Sequence, residues 1–127
     1  MSVTYLPVVE GLSSFGDYSP VSVSGDLVAV AGQFGTGATD TAGQVRGAFA
    51  NVGVALAAVG LGFADVIKFT TYVVGRKTIA PFMATRKAVF AEIYPQGVYP
   101  PNTLLIVAGL VEPEFVVEIE AIARVRS

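Results

Sequence analysis

Cysteine and histidine are both absent from the sequence. Without them there is no thiol nucleophile, no Ser-His pair, no zinc finger and no disulfide framework, so any chemistry falls to carboxylates, amides, hydroxyls, arginine, lysine or the backbone. No cofactor or metal site is expected from such an inventory. Charge is scarce as well, with Asp, Glu, Lys and Arg making up 14% of the chain against about 25% in an average soluble protein. Eight basic side chains face ten acidic ones, a net charge of −2. That balance supplies no field for tracking phosphates and argues against a nucleic-acid partner.

What the chain has in excess is apolar residues, 53% of 127, which excludes disorder. The length fits a single domain over residues 1–127, able to bury roughly two-thirds of its unfolded surface. So small a domain cannot hide that much apolar surface alone, and the surplus calls for a subunit interface or a membrane. The stretch from Gly47 to Ala64 carries no charge. Its larger apolar residues and those before it, Val45, Phe49, Val52, Leu56 and Val59, recur at three-four spacing, which predicts a soluble amphipathic helix instead of a membrane span. The opening MSVTYLPVVEGL lacks a basic region followed by an apolar run, so a cytoplasmic protein is the expectation.

No linker or internal repeat interrupts the pattern. Short strands are predicted near Val3–Leu6, at Val21–Val23 and at Leu27–Ala31, the last two joined by a hairpin at Ser24-Gly25-Asp26, with Gly32-Gln33 ending the strand. A capping residue among Thr39, Asp40 and Thr41 opens the first helix, which stops near Gly60. Val66–Val74 is β-branched and aromatic, a strand with both faces mostly covered. Thr78 caps a second helix that carries Pro81 in its first turn and runs to about Tyr94. Strands at Thr103–Ala108 and Val116–Arg124 follow. The order β-β-β-α-β-α-β-β, with helices segregated from a mixed sheet, predicts an α+β two-layer sandwich.

Three features rise above packing. On the last strand, Glu118 and Glu120 project from one face and Val117, Ile119 and Ala121 from the other. Two like charges on one face need water or a partner, so they form either a solvated surface or a carboxylate at a cleft that activates water. Arg86 lies inside the apolar stripe Phe82, Val89, Phe90 and Ile93 of the second helix. It either snorkels to water or serves as a fixed cation in a partly dry site, suited to a carboxylate. The turns at 16–20 and 99–103 place polar and aromatic side chains beside strands, where ligand contacts are commonly built.

Four blocks carry a resemblance: Gly16-Asp17-Tyr18-Ser19-Pro20, Gly25-Asp26-Leu27-Val28-Ala29-Val30-Ala31-Gly32-Gln33, Val66-Ile67-Lys68-Phe69-Thr70-Thr71-Tyr72-Val73 and Glu118-Ile119-Glu120-Ala121-Ile122-Ala123. In this order, over nearly the whole chain, they resemble the Rid/YjgF family of enamine/imine deaminases, also labelled L-PSP endoribonucleases. The resemblance implies a chorismate-mutase-like fold with two helices on one face of a mixed sheet. It also implies a homotrimer with ligand clefts between subunits, and hydrolysis of a 2-imino acid to ammonia and a 2-oxo acid. It places the cleft tyrosine at Tyr18, a backbone contributor at Gly32 and the water-activating acid at Glu118. The arginine that clamps the substrate carboxylate does not carry over: the family's Pro-Pro-x-Arg-Thr reads Tyr99-Pro100-Pro101-Asn102-Thr103 here. A charge-assisted Arg–carboxylate contact contributes about 1.5–3 kcal/mol, and an amide does not replace it. Arg86 is the candidate to supply the displaced charge, with Asn102 and Thr103 orienting the substrate. The alternatives are a non-catalytic trimer that binds a small metabolite or a protein, and an endoribonuclease or translation inhibitor. The last is disfavoured by the missing histidine and basic stripe.

Overall fold

The structure is a computed structural model that describes residues 2–126. Six strands, β1 (Thr4–Leu6), β2 (Val21–Ser24), β3 (Leu27–Gln33), β4 (Val66–Val74), β5 (Asn102–Val107) and β6 (Val117–Arg124), form one sheet in the order β1-β2-β3-β6-β4-β5. All neighbours are antiparallel except β4 and β5. Helices α1 (Thr41–Ala57) and α2 (Ile79–Ile93) connect β3 to β4 and β4 to β5. Both are crossovers between parallel strands, because β6 lies antiparallel between β3 and β4. Two crossovers of the same hand, stepping the same way along the sheet, put both helices on one face. The predicted element order is therefore the observed one.

The helix face of the sheet makes the core. Val45, Phe49, Val52 and Leu56 of α1 are buried, as their spacing predicts, against Val28, Val30, Phe69, Val73, Val117 and Ile119. Phe49 meets Phe69 and Phe90 edge-on at 5.6 and 5.3 Å. Among the described residues no helix is long and apolar enough to cross a membrane. The first helix ends where Gly60 takes φ +75° and Leu61 donates its N–H to the Leu56 carbonyl at 2.9 Å, a Schellman-type stop. Close packing also decides Gly47: a Cβ there would fall 2.6 Å from the Gly35 Cα, so α1 rests directly on the loop that leaves β3.

Three local expectations are corrected. Gly32-Gln33 does not end β3 but belongs to it, inside an irregularity between Val30 and Gln33 where the strand bulges against β6. Thr78 sits at the N-cap of α2, yet its hydroxyl donates back to the Val74 carbonyl at 2.6 Å and so does not cap the helix. On β4 one face alone is covered: Phe69, Thr71 and Val73 are buried, Lys68 is exposed, and Thr70 and Tyr72 are half-buried. The physical reason is that both helices lie on the other side. On that uncovered face Leu27, Leu105 and Ile122 remain 49%, 44% and 37% exposed.

Candidate functional site

β6 is the central strand of this site, and its alternation sends Glu118 and Glu120 to the uncovered face, both half-buried, as the sequence predicts. Glu118 reaches across to β3. An added Cβ at Gly32 would lie 1.7 Å from the Glu118 Oε2, so the bulged, side-chain-free position is the space the carboxylate occupies. Tyr18, Gly32 and Glu118 share a cavity of about 310 Å³ with Phe15, Ala31 and Phe34. Phe34 stacks on Phe115 at 4.5 Å, and Phe15 meets both edge-on. This apolar wall desolvates the acid: burial first, then the Glu120 charge, pushes the Glu118 pKa above the ordinary carboxylate value.

Glu120 turns the other way. It accepts a short hydrogen bond from the Tyr72 hydroxyl on β4. That bond, with burial and the two carboxylates, pushes the Tyr72 pKa up to about 12, so Tyr72 remains an O–H donor throughout the physiological range.

Arg86 and Asn102 meet at a second cavity, of about 620 Å³, whose wall also includes Met83, Phe90, Tyr99 and Leu104. The Arg86 guanidinium lies 5.1 and 5.8 Å from the Phe82 and Phe90 ring centres, a cation held on aromatic faces. Burial lowers its pKa from the usual arginine value and leaves it a cation. Among the described residues it has no carboxylate within 4.0 Å; the ion pairs found are Arg46–Glu92, Arg124–Asp26 and Arg126–Asp65. Asn102 accepts from the Thr71 hydroxyl at 2.8 Å, which commits its amide oxygen and leaves the N–H groups as its donors.

The structure therefore groups the predicted residues into two sets. Tyr18, Gly32 and Glu118 line one cavity, Arg86 and Asn102 the other, and the two share no lining residue. Thr103 joins neither lining. It pairs with Thr70 while Asn102 pairs with the buried Phe69, so the two side chains point to opposite faces of the sheet. Sequence reasoning missed Tyr72 and the Phe15–Phe34–Phe115 wall, while Tyr99 lies in the turn at 99–103 that it singled out. Among the described residues no cluster of acidic side chains could hold a metal ion.

A family model described as Endoribonuclease L-PSP matches residues 10–125. The chain belongs to the Rid/YjgF family. A YjgF/YER057c/UK114 family member from Mycobacterium tuberculosis is 31% identical over 98% of this chain and 100% of its own, at a TM-score of 0.77. TdcF from Escherichia coli, solved with serine bound, is 30% identical over 98% and 99%, at 0.85. The YjgF gene product of Escherichia coli is 29% identical over 97% and 99%, also at 0.85. No curated protein matched the chain. The fold is that of the family, a chorismate-mutase-like sandwich of two helices on a six-stranded mixed sheet.

The Gly32 contact makes a direct prediction about geometry. Gly32→Ala should displace the Glu118 carboxylate by about 1.5–2 Å, the distance needed to restore ordinary carbon–oxygen contact. A crystal structure of the variant with Glu118 in its original place would contradict the assignment of this space.

Proposed function

We propose that the protein assembles as a homotrimer in which the Arg86 cavity of one copy faces the Glu118 cavity of the next, and that the cleft hydrolyses a 2-imino acid or related C=N compound. The observation that carries this reading is the separation of the two half-sites. Within one chain an acid with a raised pKa and an unpaired cation line different cavities, and each supplies what the other lacks. Head-to-tail contacts related by a three-fold rotation close into a ring of three. The exposed Leu27, Leu105 and Ile122 would be covered by such a contact. The serine bound to TdcF, a relative of similar fold, is a small molecule bearing a carboxylate.

In this cleft the Arg86 guanidinium holds the substrate carboxylate, taking over from the arginine that the family places where Asn102 stands. The Asn102 amide donates a further hydrogen bond, and Tyr18 closes the opposite side. Glu118 removes a proton from water as its oxygen attacks the C=N carbon and passes that proton to nitrogen, giving a carbinolamine; it then takes the hydroxyl proton and delivers it to nitrogen as the C–N bond breaks, so the carbonyl forms and ammonia leaves. The products are ammonia and a 2-oxo acid, so atoms and charge balance. Thr103 lies on the face away from Arg86 and plays no orienting part within the same chain's cavity.

The test is ammonia release from 2-aminoacrylate generated in situ. Acceleration by the purified protein supports the reading, and no acceleration overturns it. The shared cleft has its own test, because co-refolding Glu118→Gln with Arg86→Met copies in equal amounts leaves about a quarter of random inter-subunit sites intact. Activity in the mixture well above the mean of the separate variants is the expected result. A mixture no better than that mean would place the site within one chain.

A further inference from the structure

Two carboxylates on adjacent positions of one strand face diverge to opposite neighbours. Glu118 extends over β3 into the space above Gly32, and Glu120 is drawn to β4 by the Tyr72 hydroxyl. Tyr72 stands directly opposite Glu118 in the β4–β6 register, so its hydroxyl reaches diagonally to Glu120. This bond holds the second carboxylate in one place, out of the Glu118 cavity yet on the same face. Nothing in the chemistry of C=N hydrolysis requires a second acid there.

We propose that Glu120, held by the Tyr72 hydroxyl, is a positioning residue that sets the pH range over which Glu118 works as the base. The inference rests on the proposed role of Glu118. A fixed negative charge beside the base opposes its ionisation, so Glu118 keeps its proton to higher pH and, once ionised, is a stronger base. The charged and titratable groups around Glu118 are few. Its own strand offers Glu120, β4 offers Tyr72 with Lys68 farther along the face, and the N-terminal loop offers Tyr18. The β3 wall presents Ala31 and Gly32, and the remainder of the cavity Phe15, Phe34 and Val111, none of them titratable. In the proposed assembly Arg86 of the next copy would act on Glu118 in the opposite sense, equally in wild type and in Glu120 variants.

The experiment compares wild type, Glu120→Gln and Tyr72→Phe. Gln keeps the acceptor for Tyr72 and removes only the charge. Positions two apart on a strand are about 7 Å apart at Cα, and carboxylates that diverge to opposite neighbours lie farther, at about 10 Å, where a like charge changes an ionisation equilibrium by about twofold. At the foot of the acid limb of kcat/KM, normalised to each protein's own plateau, Glu120→Gln should therefore be about twofold faster than wild type or better. Tyr72→Phe retains the charge and should not move the limb to lower pH. An unmoved limb in Glu120→Gln, or a limb that moves down equally in Tyr72→Phe, would overturn the proposal. Carbon-13 NMR titration of the Glu118 carboxyl in the same three proteins reads the effect without turnover. If no substrate is hydrolysed but the Glu118 titration moves to lower pH in Glu120→Gln, the deaminase reading fails and the tuning stands. If hydrolysis is found and the titration does not move, the tuning fails and the reading stands.

Discussion

Glu118→Gln is expected to lower the rate of ammonia release by about 10²–10⁴-fold, the usual contribution of a positioned general base. Gln fills the same space above Gly32, so the cavity keeps its shape while the proton acceptor is lost. The pH dependence has a definite sign. The base works as a carboxylate, its pKa is raised by burial and by Glu120, and activity should therefore fall, as pH is lowered, at a higher pH than an ordinary solvent-exposed glutamate would give. Steady-state ammonia release from pH 4 to 9 measures both effects, with far-ultraviolet circular dichroism to verify folding. Retention of more than a tenth of the wild-type rate would remove Glu118 from the role of base.

Gln44→Ala should produce the largest loss of stability of any single substitution considered. Gln44 is 1% exposed on α1 and spans to the segment before β6: its amide donates to the Glu114 carbonyl at 2.9 Å and accepts from the Val116 N–H at 2.8 Å. Removing it takes the side-chain partner from these two backbone groups and from the Ala38 carbonyl at 3.4 Å, and leaves a cavity. At about 1–3 kcal/mol for each unsatisfied buried group, the cost should total about 3–5 kcal/mol. Denaturant unfolding measures it, and a loss under about 1 kcal/mol would mean that water replaces these bonds.

Short-range pattern made much of this architecture legible. The apolar spacing of Val45, Phe49, Val52 and Leu56 announced the buried face of α1, and the β-branched run gave β4 its bounds, Val66–Val74. Arg86 was conspicuous as a cation inside the stripe of α2, and strand alternation placed Glu118 beside Glu120. The same alternation separates Asn102 from Thr103, a consequence that grouping both in one turn concealed. What could not be read are contacts between residues far apart in the chain. The Gly32–Glu118 fit depends on a bulge in β3, and the Tyr72–Glu120 bond depends on the β4–β6 register. Neither leaves a mark in local sequence, because pairing register is settled by the whole sheet.

The position of β6 also orders events during synthesis. It is translated after the other five strands, yet it fills the gap between β3 and β4. Until it has left the ribosome, those two strands each present an open hydrogen-bonding edge, and the long-range pairing that closes the sheet must wait. The strand that supplies Glu118 is thus the one that completes the sheet, and a nascent chain halted before it has neither a sealed core nor this carboxylate.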